Sequence, residues 1–362
     1  MLFGKKFSLV GLDIGSRSIK VGEVVETKKG RALKNFGMVD VPPGAIEEGS
    51  IKDPETVAPI IRDLFKQSGI KEQNVAISIG GFSIIVKNIT VQTMTEDQLQ
   101  DTIQYEAEQY IPFDISDVNL DFQIIGENEQ NPEQMDVILV AAKKEMVDDY
   151  INLVQIAKLN PVVLDVDAFA LQNIFELNYA EIPVAREGEE PGGEDSTALI
   201  DIGASKTSLN ITKGSSSLFM RDVSLGCGQI NQKIIALAEC TPEEAETLKF
   251  SQEPDKISKN DIIEITTSVI TDWCTEIRRA LDFFYSTYPD EQIKKIFLSG
   301  GGANINEFKE LLSEETSTEV ETINPFKNLN LENSRLDPSY LEQVAPQAAI
   351  CMGLAIRRVD DK

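Results

Sequence analysis

The amino-acid sequence predicts an α/β protein of two lobes, and three features carry that prediction. The tripeptide Asp-Ile-Gly occurs twice, at Asp13-Ile14-Gly15 and Asp201-Ile202-Gly203, each time between two strand-like runs. A third glycine site, Ser299-Gly300-Gly301-Gly302, joins an apolar run at 295–298 to a helical pattern marked by Ile305, Phe308, Leu311 and Leu312. Between the halves lies a segment at 181–196, rich in Glu, Gly and Pro, that cannot bury apolar surface and reads as a loop or lobe boundary.

Each element follows from local pattern. Strands are expected at 8–13 and 18–25 around the first glycine turn, from partial alternation of apolar and polar residues. A helix over 54–68 has Asp53 as N-cap, Pro54 at the first position and Gly69 just beyond its end. Strands at 75–79 and 84–91 flank Gly80-Gly81 and complete a first lobe core. Thr95 and Gln98 form a capping box that opens a helix reaching Gln109, stopped by Ile111-Pro112. Strands at 120–125 and 137–142 and a helix over 144–159 then make an αββα-like block that reads as an insertion. In the second half, strands at 197–202, 207–212 and 218–224 echo the first hairpin, and a helix spans 229–238. Thr241 and Glu244 form another capping box, after which 245–250 are helical. A long helix at 261–285 places Ile262, Ile265, Val269, Trp273, Ile277 and Leu281 on one stripe.

Composition narrows the function classes. The chain has 362 residues, 41% of them hydrophobic, enough for substantial cores in two domains or one bilobed unit. Sixty acidic against 34 basic residues give a formal charge of −26, which repels nucleic acid and anionic lipid. Histidine is absent, so Ser-His and Cys-His nucleophile pairs and most transition-metal sites are excluded. The longest apolar run, 137–142, is far below the roughly 18 residues that span a bilayer, and no secretory segment follows Met1; a cytoplasmic location is expected. Cys227, Cys240, Cys274 and Cys351 lack Cys-x-x-Cys spacing, so reduced thiols are expected. Chemistry then rests on carboxylates, backbone amides, Lys, Arg and Mg²⁺.

The glycine turns suggest what that chemistry is. A tight glycine turn flanked by hydroxyl residues aims consecutive N–H groups at one point, which suits phosphate. An aspartate at the strand end holds Mg²⁺ through water. One such turn is weak evidence, because glycine after a strand usually serves local geometry. Two turns and a terminal strand-glycine-helix in this order point to a metal-nucleotide clamp centred on Asp13 and Asp201.

The order of segments 11–20, 199–208 and 297–304 resembles the two phosphate sites and the adenosine site of the actin, Hsp70 and sugar-kinase superfamily. Within it, the blocks at 106–113 (EAEQYIPF), 118–122 (VNLDF), 140–145 (VAAKKE) and 164–171 (LDVDAFAL) resemble the PilM family of type IV pilus assembly, over nearly the whole chain. The resemblance implies a bilobed actin-like ATPase fold of two RNase H-like domains with an FtsA-like inserted subdomain 1C. Its subdomains would be 1A at 1–88 and 166–195, 1C at 89–165, 2A at 196–230 and 291–362, and 2B at 231–290. It implies ATP and Mg²⁺ as cofactors, with Asp13 and Asp201 holding the hydrated ion. Gly15, Ser16, Arg17, Ser18, Gly203, Ala204, Ser205 and Lys206 would wrap the phosphates, with Lys20 at the superfamily's phosphate lysine. Gly300, Gly301, Gly302 and Asn304 would approach the adenosine. Glu246 and Lys249 match a helix whose polar face reaches the ribose in relatives, and a solvated i,i+3 ion pair is the alternative. Asp167 and Asp201 would be the catalytic residues, with Asp167 orienting the attacking water; Asp165 is a competitor, and helix capping is another role for such an aspartate. Asp167-Ala168 stands where the family pattern often has Glu-Pro, and the shorter carboxylate bears on hydrolysis more than on binding.

The same resemblance implies partners: the N-terminal cytoplasmic peptide of a PilN-like inner-membrane protein in a groove beside 106–113, pilus motor or platform proteins, and self-association. Neither nucleic acid nor direct membrane insertion is expected, and the location would be peripheral to the inner membrane. Residues 106–113 also fit a plain core-plus-turn role. Two rivals share the clamp. A small-molecule kinase would need a substrate-orienting carboxylate constellation and longer lobes. An FtsA-like filament protein would need an amphipathic anchor after a linker, where this sequence ends at Arg357-Arg358-Val359-Asp360-Asp361-Lys362.

Overall fold

The computed structural model describes residues 9–128, 130–179, 195–251, 256–332, 334 and 336–359. Strands β1 (Val10–Ile14), β2 (Ser18–Thr27) and β3 (Gly30–Asp40) form an antiparallel meander. A small hairpin of β4 (Ile46–Glu47) and β5 (Ser50–Ile51) leads into α1 (Pro54–Gln67), where the Asp53 carboxylate accepts the Thr56 N–H as N-cap. Next, β6 (Asn74–Ile79) lies parallel to β1. The chain leaves this sheet through β7 (Ile84–Gln92), α2 (Glu96–Ala107), β8 (Val118–Glu127) and β9 (Gln134–Lys143), whose three strands pair in the order β7-β9-β8. It returns through α3 (Lys144–Ile156) to β10 (Asn160–Val166), and α4 (Asp167–Tyr179) follows. The first sheet thus has the order β10-β6-β1-β2-β3.

The second half repeats that plan. Strands β11 (Ser196–Ile202), β12 (Thr207–Lys213) and β13 (Ser216–Val223) are an antiparallel meander, followed by α5 (Gly228–Ala238), α6 (Pro242–Phe250) and α7 (Lys259–Thr287). Then β14 (Ile293–Ser299) lies parallel to β11, and α8 (Asn306–Thr316) leads to β15 (Glu319–Thr322), parallel to β14. The order β13-β12-β11-β14-β15 matches the first sheet strand for strand, with β11 in the place of β1. Both central strands are buried on both faces, as strands between helical layers must be. The stripe on α7 fills the second core, where Trp273 meets Phe308 edge-on at 5.4 Å. Last come α9 (Pro338–Val344) and α10 (Ala349–Ala355).

Three placements differ from the sequence reading. Residue 88, expected to end the first subdomain, is in the middle of β7, so the inserted block begins at Ile84. The helix expected inside the insertion is α3, and it belongs to the first lobe: Val147, Tyr150, Leu153 and Val154 share a core with Val57 and Ile61 of α1. The cause is β10, which takes the parallel place beside β6, so that α3 acts as the covering crossover. Residues 349–355, expected with the second lobe, pack on β1, β2 and α4. That approach needs Gly353, where a Cβ would overlap the Ala170 carbonyl oxygen. Of the expected loop at 181–196, residues 181–194 lie outside the described residues, and Ser196 already opens β11. Residue 8, the start of the expected first strand, is also outside them.

Candidate functional site

In open α/β sheets ligands gather at the carboxyl ends of parallel strands, and here those ends carry Asp13 (β1), Ser78 (β6), Asp201 (β11) and Ser299 (β14), with Asp167 directly after β10. The two Asp-Ile-Gly turns have the same internal bond. Gly15 N–H donates to the Ser18 carbonyl at 3.2 Å, and Gly203 N–H to the Lys206 carbonyl at 2.9 Å. Ser18 is buried at the start of β2, so its part in the turn is this carbonyl. The turns meet across the lobes: the Ser16 and Ser205 hydroxyls are 3.1 Å apart. The second turn is braced from the loop before α5, where Cys227 N–H donates to the Gly203 carbonyl (3.0 Å) and Gly228 N–H to that of Ala204 (2.8 Å).

Charge is concentrated beneath these turns. Lys20 faces Asp13 across the β1–β2 register and bridges it at 3.0 Å, both largely buried. Burial pushes the Asp13 carboxyl above its ordinary range, an effect that Lys20 only partly offsets. For Lys20, burial works to lower the ammonium, but Asp13 outweighs it and keeps the group charged. Burial pushes Asp201 up to about 6, against the Ser299 hydroxyl, which donates to its Oδ1 at 2.7 Å. Burial would also raise Asp167, at the start of α4. Lys206 at 2.7 Å and the Ser78 hydroxyl at 2.6 Å together hold it below the usual carboxylate range. Asp165 is paired with Arg357 at 3.0 Å, so Asp167 is the carboxylate of the two that joins the cleft cations.

The remaining expected residues are close by, with two exceptions. Gly300 has φ of +80°, and a Cβ there would overlap the Ile202 carbonyl oxygen; at Gly302 it would overlap the Ile202 side chain. These glycines let the third site close onto the end of β11, with Gly301 between them. Asn304 is exposed at the far end of the turn, away from these contacts. Arg17 makes an exposed pair with Asp40 at 3.2 Å. Glu246 and Lys249 of α6 pair at 2.9 Å, and both contact Asn231 of α5, at 2.5 Å and 3.1 Å. Burial works to raise the Glu246 carboxyl, but Asn231 and Lys249 hold it low, and the charge of Arg17 from the opposite turn adds to this. The Glu246–Lys249 pair is therefore half-buried and linked to α5, and not a solvated surface pair.

None of Ser78, Ser299 and Asn231 was expected as a partner of the site's charged groups, although Ser299 stood at the head of the third glycine site. The first two were legible in principle, each being a polar residue at or next to the end of a buried strand ahead of a glycine. The residues present fit a nucleotide: two N–H-bearing turns meet tip to tip over two part-buried ammonium groups, Lys20 and Lys206. Among the described residues no group of three or more Cys, Asp or Glu is placed to hold a metal ion directly. The donor set suits a hydrated ion held jointly with phosphate.

A family model described as Type IV pilus assembly protein PilM matches residues 11–359. The chain belongs to the PilM family. A solved PilM–PilN type IV pilus biogenesis complex is similar at 27% identity with a TM-score of 0.84, covering 98% of this chain and 100% of that one. The ethanolamine utilization protein EutJ from Carboxydothermus hydrogenoformans matches with a TM-score of 0.57 at 14% identity, over 96% of this chain and 89% of its own. MreB5 of Spiroplasma citri bound to AMPPNP matches with a TM-score of 0.50 at 11% identity, over 97% and 95%. The architecture is thus the bilobed actin-like ATPase fold, in an actin-like pilus assembly protein with a three-stranded inserted block. No helix among the described residues is long and apolar enough to cross a membrane.

Proposed function

We propose that this PilM-family protein binds ATP with Mg²⁺ between its lobes, holds the N-terminal peptide of a PilN-type inner-membrane protein, and uses lobe closure to couple the two at the pilus platform. The observation that carries the nucleotide half is the meeting of the two glycine turns at Ser16 and Ser205 over buried Asp13 and Asp201 and part-buried Lys20 and Lys206. In this reading residues 15–18 and 203–206 wrap the phosphates, with the Gly15 and Gly203 N–H groups holding the turns in shape and those of Ser16, Arg17, Ala204 and Ser205 turned to the phosphates, and the two lysines balance their charge. Asp13 and Asp201 hold the hydrated ion, and Glu246 with Lys249 meets the ribose. Bound ATP with Mg²⁺ would supply a compact polyanion and a reactive γ-phosphoryl group. Asp167, held ionised by Lys206, would be the residue that orients water, so any hydrolysis is weak while that pair stands.

The partner half rests on family membership and on the split character of 106–113. Ala107 and Ile111 are buried in the core of the inserted block, with Phe113 packed against it under the Lys143 ammonium at 4.4 Å. Tyr110 and Glu108 remain exposed and face outward for a peptide. Subdomain 1A is then best drawn from residues 9–83, 144–179 and 349–355, with 1C at 84–143. The protein would reside in the cytoplasm, peripheral to the inner membrane through its partner, and contact motor proteins there. Calorimetric titration of ATP, with and without Mg²⁺, tests the nucleotide half. Wild-type protein is expected to bind, and Gly203→Val, which fills the cradle, to lose binding while keeping its fold by circular dichroism. Absence of heat with wild-type protein would refute it.

A further inference from the structure

We propose that Lys206 and the loop at 80–83 form a latch that ties the inserted three-stranded sheet to the second lobe, and that filling the cleft releases it. The proposal rests on the nucleotide reading above. Hydrogen bonds from Gly81 in this loop and from Asn88 of the inserted block cross to β13, the edge strand of the second sheet. Gly81 N–H donates to Asp222 Oδ2 at 2.7 Å, and Asn88 Nδ2 donates to the Ser217 carbonyl at 2.8 Å. Gly81 has φ of +92°, a backbone state suited to glycine, and its carbonyl accepts Ile84 N–H at 3.1 Å to start β7. The loop is therefore the direct junction between β6 of the first lobe and the edge strand of the insertion.

What seats the loop is an ion pair. A Cβ at residue 80 would overlap both Lys206 Nζ and Asp167 Oδ2, so the loop presses on the pair formed by the second glycine turn and the start of α4. Lys206 lies between Asp167 of the first lobe and Asp222 of the second, and both carboxylates act on its ammonium. A cavity of about 210 Å³ runs along the same seam, lined by Gly80, Val86, Asp167, Leu209 and Met220, and gives the loop room to move. Lys206 also follows Ser205 in the turn that would receive phosphate. When Lys206 turns to a phosphate, Asp167 keeps only Ser78, the loop loses its seat, and the seam is left to the hydrogen bonds of Gly81 and Asn88. An empty cleft thus keeps the inserted sheet docked on β13, and a filled one frees it, as a bistable contact with two discrete arrangements.

Amide hydrogen exchange on the full chain, with and without ATP–Mg²⁺, tests this beside calorimetry. In wild type, nucleotide is expected to slow exchange at 13–18 and 201–206 while speeding it about tenfold at 81–88, two changes of opposite sign. Asp222→Ala is expected to bind nucleotide more tightly than wild type, up to the same factor of about ten because no docked contact has to be released, and to exchange fast at 81–88 already without it, with no further change on binding. Asp222→Asn, which keeps an acceptor oxygen for Gly81, should restore most of the slow exchange and guards against a merely unfolded variant. If wild type binds nucleotide but 81–88 slows or does not change, or if Asp222→Ala behaves as wild type, the latch is overturned and the nucleotide site stands. If wild type binds no nucleotide, both fall.

Discussion

Replacing Asp201 by Asn should make the empty protein more stable while destroying its response to nucleotide. The carboxyl ordinarily titrates at 3.8, and burial pushes it up to about 6. An acid raised on folding binds its proton more tightly in the folded chain, so the folded state gains as pH falls through 6 toward 3.8 and carries the full penalty above 6. The gap of about 2 pH units corresponds to a penalty of about 3 kcal/mol at pH 7.5, and about half of that remains at pH 5. Asn removes the charge yet keeps an oxygen for the Ser299 hydroxyl. Asp201→Asn is therefore expected to raise the thermal midpoint at pH 7.5 by up to roughly 4 °C, and by about half as much at pH 5. Addition of ATP–Mg²⁺ should raise the wild-type midpoint and leave the variant's unmoved. A variant less stable than wild type at pH 7.5, or a gain equal at both pH values, would refute the burial argument. A variant still stabilised by ATP–Mg²⁺ would refute the role of Asp201. A gain in stability on losing a charged group marks a position kept for function.

Other outcomes follow from the same contacts. Lys20→Met should cost about 3 kcal/mol in urea denaturation, because it leaves Asp13 buried without its cation at 3.0 Å, and adding Asp13→Asn should recover part of the loss. Gly353→Ala places a methyl on the Ala170 carbonyl and should lower stability by about 3 kcal/mol, read as a drop in thermal midpoint with α10 displaced from α4. Glu246→Ala should weaken ATP about tenfold in calorimetry while leaving inorganic triphosphate unaffected, since the Asn231–Glu246–Lys249 group is assigned to the ribose and not the phosphates.

How much of this was legible in the sequence depends on burial. The two hairpins around Asp13 and Asp201, the Asp53 cap on α1, and the capping boxes Thr95/Gln98 and Thr241/Glu244 all appear where local pattern places them. Helices α4 and α10 gave no such signal. Helix α10 is buried at every residue, packed between β1, β2 and α4, so it has no polar face and no period to read. Helix α4 carries buried Gln172 and Asn178 among its apolar residues, which blurs the stripe further. Their polar groups are satisfied partly within α4 and partly by distant chain: Gln172 donates to Glu176 and accepts from Asn210 and Ser217, and Asn178 Nδ2 donates to the Ile174 and Pro325 carbonyls. The partners of the site carboxylates were hidden for the same reason, Ser78 and Asp167 being 89 residues apart and Asp201 and Ser299 98 apart. The glycine turns and their lysines were visible because they are local, and the hydroxyl partners of the carboxylates were not because they are tertiary.

The central claim, that the nucleotide cleft and the partner groove are coupled, is tested most directly by calorimetric titration with a peptide copying the cytoplasmic N-terminus of the PilN-type partner, in the presence and absence of ATP–Mg²⁺. The account predicts specific binding that is lost on mutating 106–113 and whose affinity differs between the two conditions. Equal affinity with and without nucleotide, or no binding in either, would contradict it.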